Sequence, residues 1–410
     1  MADRKNLKFV IIGHVDHGKS TLIGRLFFDT DSLPYDKIEE VKKASKDQDG
    51  TGIEFAFLMD HLREEREQGV TIDTAQTFFK TSKREYVIID APGHVEFVKN
   101  MITGASQAEA ALLIVDVIEG VAEQTKRHAN LISMLGLDQI IVVVNKMDET
   151  DYKEERFKEV KKDISEFFND IKIKGNFYIP ISALKGENVV THSKLMPWYK
   201  GPTILESLDS LKNRDSPKDK SLIFPIQDVY KMSGKRIAVG RVEAGYLEDG
   251  MEVKILPDGI KMKIKSIEKY NEKKNRAIAG ESIGIITESP VFLQRGNVLC
   301  IEGMEPITTN SFEANLIWLS KDEFDISERI KLRLATQEIN GTVKSIKKRI
   351  DSSSLEILEE NAKKLKNLEI GDIVFEAKTP ISITKFNDIQ ELGRFVLVRG
   401  NDVVAGGIIT

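Results

Sequence analysis

Residues 13–20 read GHVDHGKS: a glycine, four residues, then Gly18, Lys19 and Ser20, directly behind the apolar run Phe9-Val10-Ile11-Ile12. A strand that ends in such a loop and runs on into a helix makes a cradle for phosphate. Backbone N–H groups of residues 16–20 can converge on two phosphates at the positive end of the helix. Lys19 can reach the outer phosphate oxygens, and the Ser20 hydroxyl can ligate Mg²⁺. The expected lining is therefore Gly13, His14, Val15, Asp16, His17, Gly18, Lys19, Ser20 and Thr21. Further on, YVIIDAPGH places Asp90 at the end of a strand, where its carboxylate can hold Mg²⁺ through water. The N–H of Gly93, unshielded by a side chain, can approach a terminal phosphate.

The base is specified by VVVNKMD. Asp148 offers two carboxylate oxygens, and guanine offers two adjacent donors, N1–H and the 2-amino group, so the match is bidentate. Adenine presents an acceptor in place of N1–H and would leave buried polar groups unpaired, a discrimination of about 10⁴-fold or more. The nucleotide expected is GTP, with GDP as its product. Asn145 is expected to brace this loop against the phosphate loop, the Lys146 stem to lie over the base, and Ser182-Ala183-Leu184 to direct N–H groups at guanine O6. His94, directly after Gly93, stands where many GTP-hydrolysing proteins carry a glutamine that orients the attacking water. An imidazole can do the same through either nitrogen. EQGVTIDTA adds Thr71 and Thr74, with Thr77 and Thr81 nearby, as hydroxyls that could complete the Mg²⁺ shell. His14, His17 and Asp16 are not read as a metal site, because a loop wrapped round phosphate leaves them poorly placed to converge.

These residues need a frame. Apolar runs of strand length over 8–12, 86–89, 111–117, 140–144 and 177–181 alternate with helical periodicity over 19–27, 54–67, 96–108, 123–135 and 152–168. That is the pattern of a doubly wound, mostly parallel α/β sheet, whose ligands sit at the carboxyl ends of the strands. A polar insertion over 29–68 lies where a ligand-sensing segment would. After the polar stretch NRDSPKDK at 213–220 the period changes to two, with hairpin signals at Asp249-Gly250, Pro257-Asp258-Gly259 and Asn340-Gly341. The expected organisation is a GTP-binding domain over 1–213 and two small β-barrels over 221–305 and 306–410.

Bulk composition is compatible with this and excludes little. A chain of 410 residues with net charge −5 has no global attraction to nucleic acid. No apolar run approaches the roughly 18 residues of a membrane span, and the short apolar start is no signal peptide, so a cytoplasmic location is expected. The single cysteine, Cys300, lies in an apolar stretch and reads as a core residue.

GHVDHGKS, the threonine of GVTI, DAPGH, NKMD and SAL together resemble the translational-type GTPase superfamily, whose three-domain plan also suits the distal β-pattern. The resemblance selects Thr71 among the threonines for Mg²⁺ and for catalysis beside Lys19 and His94. It also implies that Val15 and Val70 form an apolar gate holding His94 from the water. Within the superfamily, LREEREQGVTIDTA, NMITGASQAEAALLIVD, GVAEQTKRH, ALKGENVVTHSKLMPWYKGPTILESL and the distal ANLIWLS look most like the GTPase subunit of heterodimeric sulfate adenylyltransferase. That likeness implies a regulatory subunit, bound to a separate catalytic small subunit, which couples GTP hydrolysis to adenylyl sulfate formation from ATP and sulfate in sulfate assimilation. Under that reading the chain is part of a nucleotidyltransferase and nucleic acid is not a partner. The alternative is an elongation factor that delivers aminoacyl-tRNA.

Overall fold

The structure, a computed structural model, describes residues 6–14, 16–32, 76–90, 108–134, 136–213, 217–232, 235–269 and 272–410. Its first compact unit comprises residues 1–213 with 353–355. The six-stranded sheet runs in the order β2-β3-β1-β4-β5-β6: β1 Leu7–Gly13, β2 Gln76–Lys80, β3 Glu85–Asp90, β4 Ala110–Asp116, β5 Ile140–Asn145 and β6 Phe177–Pro180. All neighbours are parallel except β2 and β3. Burial on both faces explains why β4 and β5 are unbroken apolar runs rather than alternating ones. Among the described residues four helices accompany the sheet: α1 Lys19–Asp29, α2 Glu123–Met134, α3 Glu154–Asp170 and α4 Ile204–Ser210. The strand β2 has no counterpart in the sequence reading, because QTFFK is short and exposes Phe78 while burying Phe79. The helix expected over 54–67 lies outside the described residues, as does that over 96–108 except for its last residue.

The second unit, residues 214–352 and 356–410, is β-rich. Strand Glu252–Leu256 pairs with both Val298–Cys300 and Ile260–Lys269, which closes a ring through Ile223–Met232, Lys235–Arg241 and Ser282–Thr287. In the following sheet, Arg329–Leu334 pairs with both Arg394–Arg399 and Gln337–Asp351. Pro257-Asp258-Gly259 does join an antiparallel pair, as expected of it. Asp249-Gly250 is a turn, but the strands it joins do not pair; Tyr246–Glu248 pairs with Arg276–Ile278 instead. Asn340-Gly341 is no turn at all. It lies inside the strand Gln337–Asp351, and the chain reverses at Ala335-Thr336, with Leu334 opposite Gln337. Gly341 is glycine because a Cβ there would sit 2.5 Å from the Glu376 carbonyl oxygen and 2.6 Å from the Phe375 ring. One continuous core joins Ile223, Val298 and Cys300 to Trp318, Phe324 and Phe395. Burial there, with Glu305 nearby, pushes the Cys300 thiol up to about 12, so it stays an inert thiol.

Within this unit a carboxyl group sits where water is scarce. Burial first, then the neighbouring Glu391, raises Glu243 to about 7, against the opposing pull of Arg241, 3.9 Å away, and Arg394. The folded chain therefore holds this proton more tightly than the unfolded one. The resulting stabilisation is full below the ordinary glutamate range and is lost as pH rises through about 7. Glu243→Gln is expected to match the parent in thermal melts near pH 4.5 and to be more stable by roughly 2 kcal/mol at pH 8. Equal melting at both pH values would contradict this.

Candidate functional site

The loop after β1 is shaped by two glycines. A Cβ on Gly13 would lie 2.6 Å from the Ile114 carbonyl oxygen, and one on Gly18 would lie 2.4 Å from Asn145 Nδ2. Gly18 also has φ 88°, a conformation L side chains avoid. The first i→i−4 bond of α1 runs from Leu22 N–H to the Gly18 carbonyl at 2.9 Å. Ser20 and Thr21 precede it, in the turn whose N–H groups a helix leaves for an anion. The Lys19 ammonium spans the mouth of the loop, donating to the carbonyl oxygens of Gly13 and His14 at 2.7 Å each. Asp16 is exposed with φ 64°.

His14 and His17 meet edge to face at 5.3 Å, yet their nitrogens diverge. Buried His17 lies 2.8 Å from a Glu119 carboxylate oxygen through Nε2 and 3.3 Å from the Ile114 carbonyl oxygen through Nδ1, while His14 Nδ1 lies 2.5 Å from Gln124 Oε1. Both rings tie the loop to the segment after β4. Val15, Thr71, Gly93 and His94 lie outside the described residues, and Asp90 is described only as the backbone end of β3.

Asn145, at the end of β5, connects the two ligand-facing loops. Its Nδ2 donates to the His17 carbonyl oxygen at 2.8 Å, and its Oδ1 accepts from the Ala183 N–H at 2.9 Å. The Met147 N–H donates to the Ile181 carbonyl oxygen at 3.1 Å, which docks the NKMD loop on the end of β6. Asp148 sits in the short 3₁₀ turn Met147–Thr150 that follows. In the SAL segment the Ser182 N–H goes to the Glu187 carbonyl oxygen and the Ala183 N–H to Asn145. Among the described residues this leaves the N–H of half-exposed Leu184 as the donor of the three without an acceptor.

One residue here was missed from the sequence. Asp116, buried at the end of β4, holds the Lys146 ammonium at 2.7 Å. Burial alone would push Asp116 up, but hydrogen bonds from Lys146 and the Ile118 N–H hold it below its ordinary range. Burial likewise would lower Lys146, and the Asp116 carboxylate more than offsets that. The signal available in advance was one charged residue closing the otherwise apolar AALLIVD.

LMPWYKGPT, a stretch from which the sulfate reading was drawn, is engaged in packing. Trp198 donates to the Tyr152 carbonyl oxygen at 3.0 Å and packs on Phe157, and Met196 is buried. The Tyr199 hydroxyl donates to the Pro202 carbonyl oxygen at 2.9 Å, and Thr203 with Glu206 forms a capping box on α4.

Comparison with known proteins follows the same frame. Residues 4–214 match the model of the elongation factor Tu GTP binding domain, 235–300 that of elongation factor Tu domain 2, and 311–410 one described as GTP-eEF1A C-terminal domain-like. The chain is 38% identical over 412 residues to elongation factor 1-alpha of Methanosphaerula palustris, covering 99% of this chain and 97% of that protein. The chain belongs to the elongation factor Tu and elongation factor 1-alpha family of translational GTPases. Elongation factor 1-alpha of Pyrococcus furiosus is 39% identical over 420 residues, covering 99% and 98%. A solved structure of sup35 complexed with GMPPNP aligns over 99% of this chain and 94% of that one, at 25% identity and TM-score 0.46.

This family membership corrects the expected identity. The chain is a GTP-binding, GTP-hydrolysing protein of the elongation factor family and not a subunit of sulfate adenylyltransferase, so the catalytic small subunit, the heterodimer and a role in sulfate assimilation fall with that reading. LREEREQGVTIDTA and the first part of NMITGASQAEAALLIVD lie outside the described residues. LMPWYKGPT and ANLIWLS are core and capping segments, and packing demands do not report what a GTPase is coupled to. The distal ANLIWLS overlaps the segment that the elongation factor C-terminal model matches.

Proposed function

We propose that this chain is a GTP-driven factor of the cytoplasm that delivers aminoacyl-tRNA to the ribosome. The observation that carries the reading is the match to elongation factor 1-alpha at 38% identity over 99% of the chain, spanning the β-rich unit as well as the GTP-binding one. In this account the chain has three working parts, 1–213, 221–305 and 306–410, the last also a closed barrel, as the double pairing of Arg329–Leu334 supports. Gly13, His14, Asp16, His17, Gly18, Lys19, Ser20 and Thr21 enclose the phosphates with Val15 and Gly93. Asn145, Lys146, Asp148, Ser182, Ala183 and Leu184 hold the guanine.

The glycine cradle and the hydroxyl of Ser20 at the start of α1 suit a nucleotide bound with Mg²⁺. Ser20 and Thr71, with Asp90 through water, would hold that ion, which when bound neutralises phosphate charge. Lys19 adds a second positive charge at the phosphate oxygens, and His94 orients the water. The family resemblance implies that hydrolysis is slow until the partner arrives, with Val15 and Val70, which like His94 lie outside the described residues, as the apolar gate that would keep His94 back.

Programmed ribosomes are expected to stimulate GTP hydrolysis by the full chain. His94→Ala should keep GTP affinity within about threefold while lowering the stimulated turnover by about 10²-fold. Unaltered turnover would remove His94 from the mechanism, and absence of any ribosomal stimulation would contradict the proposed function.

A further inference from the structure

The paired, buried Asp116 has a position that strand ending alone does not require. Its carboxylate lies beside the Lys146 ammonium at 2.7 Å, and its Oδ1 also accepts the Ile118 N–H at 2.6 Å and the Glu119 N–H at 3.4 Å. Two backbone donors and one cation fix its orientation. The segment it anchors is itself held: Arg156 donates to the carbonyl oxygens of Val117 and Ile118, and the Val117 N–H donates to the Asn145 carbonyl oxygen at 3.0 Å. From the same segment Glu119 reaches His17 in the phosphate loop. Lys146 meanwhile has φ 65°, which an L residue adopts only where its surroundings impose it.

We propose that Asp116 is a positioning residue for guanine nucleotides, which anchors the Lys146 ammonium so that the aliphatic stem is already laid out as a platform for the base. The inference rests on reading residues 145–148 as the guanine-binding loop. The gain is preorganisation: a long side chain that is fixed beforehand loses no rotamer freedom on binding. Through Glu119 and His17 the same carboxylate also keeps the base-reading and phosphate-holding loops in one register. Asp116 does not read the base edge, so it should strengthen binding of any purine that stacks on the stem by one factor.

The experiment measures GDP and IDP affinities of the full chain with single and double variants. Asp116→Asn is expected to weaken both nucleotides by about tenfold, leaving their ratio unchanged. In a Lys146→Met background, which keeps the stem and removes the charge, Asp116→Asn should add less than about twofold. An equal loss in both backgrounds would show that Asp116 only caps its own loop and would overturn the proposal, as would a changed GDP to IDP ratio. Should Asp116→Asn fail to fold, Lys146 variants decide the matter: Lys146→Arg, which can still pair with Asp116, is expected within about threefold of the parent, and Lys146→Met about tenfold weaker. Parent-like binding by Lys146→Met would overturn the proposal. Failure of the guanine-loop reading is seen separately, as an unaltered base preference in Asp148→Asn.

Discussion

Replacing Asp148 with asparagine is expected to lower GDP and GTP affinity by about 10⁴-fold and to make the chain a binder of xanthine nucleotides. The carboxylate accepts from guanine N1–H and the 2-amino group; an amide turns one acceptor into a donor and meets the amino group with like polarity. Xanthine carries an oxygen at position 2, and the amide donor then has an acceptor. The effect is large because the loop cannot swing to compensate: the Met147 N–H is bound to the Ile181 carbonyl oxygen at 3.1 Å and the Glu149 N–H to the Lys146 carbonyl oxygen at 2.9 Å. Competition of GDP and XDP for the variant against a fluorescent nucleotide measures it. Retention of guanine preference would refute the base-reading role.

Asn145→Ala is expected to be the most damaging change to the architecture of the site. Its side chain is 3% exposed and bonds the His17 carbonyl oxygen on one side and the Ala183 N–H on the other. Truncation strands both partners, each at about 1–3 kcal/mol, and leaves Gly18 facing a hole where the amide had been. Melts should show a loss of roughly 2–4 kcal/mol, and nucleotide affinity should fall by about 10²-fold or more because the phosphate and base loops are no longer braced. An aspartate cannot substitute, since a carboxylate accepts from Ala183 but presents no donor to His17. A variant that melts and binds like the parent would show that the bridge has no energetic weight.

The nucleotide fold was legible because its signals are local and steep. Buried parallel strands such as IIVVVN are continuous apolar runs, and the loops after them carry glycine or asparagine for reasons that spacing alone exposes. Less was visible where residues far apart share one job. Asp116 gains meaning only beside Lys146, thirty positions on, and Asn340-Gly341 was misread because Phe375 and Glu376, which demand that glycine, are brought alongside by pairing across the sheet. The partner was the hardest to read. LMPWYKGPT looked diagnostic, yet Trp198, Tyr199 and Thr203 are occupied by α3, the turn at Pro202 and the cap of α4. Similarity over the whole chain, the β-rich unit included, overturned the sulfate assignment.

The proposed delivery of aminoacyl-tRNA can be tested by mixing the purified chain with aminoacyl-tRNA and following spontaneous hydrolysis of its ester bond in the presence of GTP or GDP. The GTP form is expected to slow that hydrolysis strongly at micromolar protein while the GDP form leaves it near the rate of free aminoacyl-tRNA. Equal hydrolysis with GTP, GDP and no protein would contradict the delivery of aminoacyl-tRNA.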